Sequence, residues 1–342
     1  MLVFSRYLSV AIILCSLLSA LYAHTYIDLS LTTRYDSNVF LLSDSDFQLF
    51  DTERAFEYIV TSDDLINRVD IRLSHAFRHN NIRYTAFIRP TYTSFLQNSD
   101  KNNFSLLTGV NARWNRLSVN TAYGYYPYTY LRKYIDTDGT GENEKFEFAR
   151  MMWRVSSWYR HNNLIIPRAE LRAEVFHHNQ YFTEYDGLAL TTGLGWRFLT
   201  DYVDIDLMYF YRTFNTSSGN ERIQYIIDHE KDGSHDSNIY EVQFRTKRHY
   251  HTITDYRLYL GARYEDRFYQ STIPLSLHRG RHDKTTTVNL GADLWFARDL
   301  SFNLDFQYRF RNVNSDVASV VRTKEYTRYQ ISSSIEWRFD LF

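Results

Sequence analysis

Along most of the chain, apolar and polar residues take turns at every second position. Residues 167–178, PRAELRAEVFHH, show the pattern plainly: Arg168, Glu170, Arg172 and Glu174 alternate with Ala169, Leu171, Ala173 and Val175. A helix of period 3.6 would spread these charges around its circumference, whereas a strand of period 2 gathers them on one face. Helix propensities of such residues differ by well under ~1 kcal/mol each, so the surroundings decide between the two. The same sorting sets Val69, Ile71 and Leu73 against Arg68, Asp70 and Arg72, and Val203, Ile205 and Leu207 against Asp204, Asp206 and Arg212. It sets Leu300, Phe302, Leu304 and Phe306 against Asp305 and Arg309, and Ile331, Ile335 and Trp337 against Glu336 and Arg338.

Read throughout, this alternation predicts strands at 26–35, 66–78, 82–95, 104–115, 117–130, 146–160, 164–177, 187–198, 202–214, 239–249, 255–269, 284–296, 300–313 and 325–339. The connections between them are short and long in strict turn. HNN at 79–81, NR at 115–116 and LTD at 199–201 are short; 36–65, 131–145 and 215–238 are long. A soluble sandwich has no reason to keep its tight turns at one end. A transmembrane barrel has short periplasmic turns, long extracellular loops and both termini inside. The expected fold is therefore all-β, an antiparallel up-and-down transmembrane barrel of about 14 strands, within roughly 12–16. It forms a single domain over 24–342, with segment 54–62 either lengthening the second strand or forming an extra piece. Such a barrel explains the sorting: an Arg or Lys facing lipid at the bilayer midplane costs about 2–4 kcal/mol, so charges turn inward.

Composition agrees. The chain carries 29 Tyr and 24 Phe but only 4 Pro, a mix suited to pleated, half-buried strands. The formal charge of −1 excludes a strongly basic nucleic-acid binder. Residues 1–23 hold one basic residue, Arg6, then an apolar run ending in small residues, the form of a secretory signal peptide cleaved after Ala23; an N-terminal anchor helix is the alternative. Cys15, the one cysteine, lies in that run, so the remainder has no disulfide, thiol catalysis or cysteine-based metal site. Aromatic residues sort by strand direction. Trp114, Trp196 and Trp337 fall on the lipid face near the short-turn end, with Trp158 and Trp295 inward, and Tyr92, Tyr125, Tyr211, Tyr264 and Tyr308 crowd the other end. Two interfacial belts are what amphipathic rings prefer.

The inward faces carry the candidate chemistry. Arg68, Arg72, Arg83, Arg89, Arg113, Arg150, Arg154, Arg168, Arg172 and Arg309 are placed there with Glu170, Glu174, Asp204, Asp206 and Asp305. Arginine prevails over 66–172 and acids become commoner later. Such a field biases permeation toward anions; equally, the charges can pair across strands and fill the lumen. The expectation is a porin-like channel for small polar or anionic solutes, with a structural or adhesive barrel as alternative. Outer-membrane lipid, lipopolysaccharide and the barrel assembly machinery are the expected partners; the oligomeric state stays open.

Two further patterns invite other chemistry. In DTDGTGENEKFE, residues 136–147, Asp136, Asp138, Thr140, Glu142, Glu144 and Glu147 fall at the ligand spacing of a Ca²⁺ loop, with Gly141 at its sharp turn. Against it, Asn143 replaces an apolar residue and the flanks are strands, so a solvated acidic loop is the competing reading. His177 and His178 lack a serine at their height, and the histidines of RHYH at 248–251 sit by a short turn and read as interfacial. HEKDGSHD at 229–236 supplies the acid and histidine types of an omptin-like site, as His- and Asp-rich loops commonly do. No enzyme and no resident cofactor are expected, an outer-membrane hydrolase being the remote alternative.

TRYDSNVFLLSDSDF, residues 33–47, resembles the first-strand signature of outer-membrane β-barrel porins, a YDSN-(V/I)-F stretch matched here by Tyr35, Asp36, Ser37, Asn38, Val39 and Phe40. The resemblance implies a barrel in the outer membrane and, for part of that group, a link to export of surface polymers. The chain also ends on an aromatic residue, Phe342, as many such barrels do, one residue out of phase with Trp337 and Phe339.

Overall fold

The computed structural model describes residues 24–341, apart from 51–55, 57, 137–139, 217–231, 252–253 and 272–275. The signal-peptide reading of 1–23 and the terminal Phe342 lie outside the described residues. The strands are β1 (His24–Asp36), β2 (Asp64–His79), β3 (Ile82–Phe95), β4 (Asn103–Trp114), β5 (Leu117–Ile135), β6 (Asn143–Tyr159) and β7 (Ile165–His178). They continue as β8 (Gly187–Leu199), β9 (Val203–Thr216), β10 (His235–Thr246), β11 (Asp255–Tyr269), β12 (His282–Trp295), β13 (Leu300–Asn314) and β14 (Tyr326–Asp340). Each pairs antiparallel with its sequence neighbours, and β1 closes on β14 from Tyr26↔Asp340 to Asp36↔Gln330. Closure leaves no edge, so strand backbone is satisfied without water.

β3 and β11 occupy the predicted ranges. The largest departures are at β5, β6 and β10. β5 and β6 run on into the expected loop 131–145, pairing up to Ile135↔Asn143 through two register shifts. β10 starts earlier, at His235, and ends at Thr246; beyond it His249 bridges Tyr256. The short turns follow their asparagines: Asn80, Asn81 and Asn115 have φ of 46°, 65° and 49°. Asn tolerates this left-handed region, which tight hairpin turns require.

The outer wall is apolar and exposed. Leu31, Val69, Ile71, Leu73, Val155, Leu171, Leu194, Leu207, Leu290 and Ile335 all point outward. Trp114, Trp196 and Trp337 are exposed near the short-turn end; Tyr92, Tyr125, Tyr211, Tyr264 and Tyr308 are exposed toward the other. In water such a belt would be far larger than a soluble monomer tolerates. A closed barrel with this belt and a charged interior is an outer-membrane β-barrel.

Segment 54–62 is neither part of β2 nor an added strand in its described residues. Ile59 is buried with Val39, Phe40, Leu42, Ile66 and Tyr130, and Phe56 and Tyr58 pack against that cluster. Apolar side chains that lipid does not reach are buried by folding the β1–β2 connection inward. Its helix α1 (Asp44–Phe50) meets α2 (Ala318–Lys324), from the β13–β14 connection.

Candidate functional site

The lumen is built from the inward side chains of every strand. Ion pairs line it from mid-height to the short-turn end. Asp70 accepts from Arg68 and Arg89 (2.9 and 3.0 Å) and from the Thr91 hydroxyl (2.5 Å). Asp206 accepts from Arg168 at 2.8 Å and Arg197 at 2.9 Å. Glu174 lies between Arg150 (3.2 Å) and Arg212 (3.4 Å), and Glu170 holds Arg172 at 2.5 Å. Asp293 holds Arg257, Asp204 pairs with Lys247, and Asp305 accepts from the Tyr259 hydroxyl at 3.0 Å. Arg309 Nε donates to the Thr287 hydroxyl at 3.2 Å. Each carboxylate offers several lone pairs and arginine a planar fork, so these bridges fix the geometry of both.

Not every predicted arginine is paired. Arg72 lies over the Phe87 ring, 4.2 Å from its centroid. Among the described residues, no carboxylate lies within ion-pair distance of Arg72, Arg83, Arg113 or Arg154. Water-accessible space survives between the side chains: a cavity of about 570 Å³ near the short turns and one of about 260 Å³ at mid-height share Arg168 and Arg197 in their walls. A third, of about 360 Å³, borders Asp70, Arg89, Trp295 and Glu336. Trp158 and Trp295 thus face the lumen, as their parity predicts.

The upper lumen is different, for two connections cross it. Asp36 is fully buried and accepts from Arg328 and from Gln330 Nε2 (2.7 Å), clasping the β1–β14 seam. Asn38 bonds the Leu42 N–H and carbonyl (both 2.8 Å) and the Thr327 carbonyl (3.1 Å), turning the chain over the mouth. The YDSNVF stretch is therefore the hinge of an inward fold. From there Asp46 on α1 meets Arg132 of β5 at 3.1 Å, and Ser45 Oγ donates to the Arg322 carbonyl of α2 at 2.8 Å. Lys324 of α2 lies over the Tyr134 ring of β5. β5 and β14 are five strands apart around the barrel, so these contacts span the opening.

Lys101, between β3 and β4, secures the fold. Only 7% exposed, its ammonium donates to the Tyr130 and Leu131 carbonyls (3.0 and 2.6 Å) beneath the Phe40 ring. Burial, with Arg328 nearby, pushes its pKa down to about 7. Asp36, Asn38, Lys101 and Arg132 were not among the predicted site residues. All four fall where the alternation reads connections, so no period marks them, though Asp36 and Asn38 belong to the YDSNVF stretch; Arg197, which alternates with Trp196, could have been found by period.

The acidic stretch 136–147 is divided. Asp136 accepts from the Thr140 N–H at 2.8 Å, and Gly141 makes the turn at φ 73°. Glu144 and Glu147 belong to β6, opposite Tyr134 and Tyr130, and three residues apart in a strand they point to opposite faces. Glu142 stands outside the strand, and Asp138 lies outside the described residues. Glu144 and Glu147 therefore do not share a face, because hairpin pairing extends into what spacing alone reads as loop. Among the described residues no group of three or more His, Cys, Asp or Glu is placed to hold a metal ion.

His178 does find an acid that its sequence position did not reveal. Its Nδ1 lies 3.1 Å from Asp186, which also accepts the His178 backbone N–H at 2.5 Å. The pair is walled by Phe146, Phe148 and Tyr185, and it ties the β7–β8 connection to its strand. His235 is buried against Phe214 and Tyr269, His249 stacks on Tyr256, and residues 229–231 lie outside the described part.

No protein-family model and no curated protein sequence matches the chain. Solved structures similar to it include the outer-membrane channel DcaP of Acinetobacter baumannii, with a TM-score of 0.49 and 9% identity over 93% of this chain and 97% of that one. A bacterial polysaccharide outer membrane secretin is similar at a TM-score of 0.47 and 8% identity, over 92% and 98% of the two chains. An anion-selective porin from Comamonas acidovorans is similar at 0.45 and 8%, over 93% and 99%.

Proposed function

We propose that the chain is a porin-like channel for small polar solutes with a preference for anions. The observation that carries this reading is the sorting of charge across the lumen. Among the described residues Arg83, Arg113 and Arg154 have no carboxylate at ion-pair distance on the β3–β6 wall, while Asp28, Asp293, Asp305 and Glu336 gather on β1 and β12–β14. A transverse field of this kind orients a polar solute and draws anions along the basic side. The crossing of the mouth by α1 and α2 favours small solutes over the surface polymer that the YDSNVF resemblance implies. The lipid and lipopolysaccharide of the outer membrane, and the machinery that inserts barrels there, are the partners this reading requires.

The same crossing favours a second reading, a structural or adhesive barrel whose lumen is plugged. Single-channel conductance of the folded protein in a planar bilayer separates the two. The channel reading expects stable steps with anion selectivity, and Arg150→Glu and Arg154→Glu each shift the reversal potential toward cations. A folded but silent barrel would remove the channel reading and leave the structural one.

A further inference from the structure

Many lumenal arginines are offset by a carboxylate, but among the described residues a row on β2–β4 at the short-turn end is not. Arg78 of β2 stands directly opposite Arg83 of β3, and Arg83 directly opposite Arg113 of β4. Like charges facing one another across strands destabilise a sheet. Among the described residues none of the three has a carboxylate within ion-pair distance. Beside them opens the cavity of about 570 Å³, whose wall includes Arg113, Arg116, Arg160, Arg168 and Arg197 and no aspartate or glutamate. Arg168 and Arg197 share a single carboxylate, Asp206, and that trio remains positive. The register runs on from Arg113 through Ser118 to Trp158 and Arg168, placing an indole among the guanidinium groups.

We infer that this chamber is a binding site for a small organic polyanion carrying two or more phosphate or carboxylate groups. A planar guanidinium binds an oxyanion through two parallel N–H bonds, and several converging on one space suit a multivalent anion rather than chloride. The volume lies within the ordinary span of small-molecule sites, and Trp158 with Ile166 supplies an apolar wall for a carbon skeleton. A bound polyanion also relieves the repulsion along the Arg78–Arg83–Arg113 row. This inference deepens the channel reading and rests on it for the ligand's onward route. The site opens near the short turns, so it is loaded from the periplasmic side.

Calorimetric titration of the folded protein in nonionic detergent at low ionic strength tests it, with pyrophosphate and citrate as separate probes and chloride as reference. Saturable binding of at least one probe is expected, tighter than chloride and weakening as salt rises. Pyrophosphate alone would assign the site to phosphates, citrate alone to carboxylates. The double variant Arg83→Gln/Arg113→Gln should weaken binding about tenfold or more. Arg338→Gln, which breaks the pair with Asp28 on the opposite wall, should leave it unchanged. Removing like charge favours folding of the double variant, and Trp158→Ala, which keeps every arginine, weakens binding as an independent check. The inference is overturned if neither probe saturates, or if Arg338→Gln weakens binding as much as the double variant. Anion-selective conductance without saturable binding would remove this site and keep the channel; saturable binding in an electrically silent barrel would keep the site and remove the channel.

Discussion

At the scale of single residues, the polar groups that close the mouth matter most. Lys101 has a folded-state pKa of about 7 against an ordinary 10.5, because its site is dry and the Arg328 and Arg132 guanidinium groups lie near. Between those values the unfolded or opened chain binds more protons than the closed one, so closure strengthens as pH rises from about 7 to 10.5 and is flat below 7. Limited proteolysis of the β1–β2 connection at pH 7 and pH 10 should show slower cutting at pH 10, and Lys101→Met should abolish the difference. Asn38 is a neutral counterpart. Asn38→Ala leaves the buried Leu42 N–H and two carbonyls without their partner, a loss of about 1–3 kcal/mol. Urea titration in micelles should show a lower midpoint, with faster proteolysis of the same connection.

At the scale of the element, each strand meets two solvents, and its sequence is a record of both. On β7, Leu171 is 53% exposed toward lipid while its neighbours Glu170 and Arg172 pair in the lumen. Leu171→Arg should cost about 2–4 kcal/mol in lipid vesicles, whereas the lipid-facing Leu171→Val should cost well under half of that; equilibrium unfolding in vesicles measures both. The inward face of β8 shows the complementary constraint. Gly193 leaves no room for a side chain, since a Cβ there would lie 2.3 Å from the Phe210 ring of β9. Strand existence and direction are legible because lipid enforces period 2. Strand ends are less so: at β5 and β6 hairpin pairing continues beyond the membrane, where no solvent boundary forces alternation.

At the scale of the whole molecule, two connections from the β1–β14 seam reach β5 across the opening, while cavities persist below. Replacing residues 39–60 with a short glycine-serine turn removes α1 and the apolar cluster but leaves the strands and the arginine chamber intact. Larger conductance steps with unchanged anion preference are expected in planar bilayers. Equal conductance would mean that the connection does not limit flow.

What the sequence determined by itself was everything that follows from contact with a solvent. Leu171 faces out and Arg172 in because hydrocarbon excludes charge, and one residue of slip would reverse every strand. The predicted arginines and acids therefore sit in the lumen by parity alone, and the asparagines of the short turns announce their own backbone. What only the tertiary structure decided was which charges meet. Among the described residues Arg83 and Arg113 face each other with no carboxylate at ion-pair distance while Arg68 and Arg89 share Asp70, and that depends on the register between strands. Likewise the histidine partner Asp186, the buried Lys101 and the inward turn at Asn38 lie in or beside connections. There no period constrains the chain, and its partners are chosen by closure of the barrel.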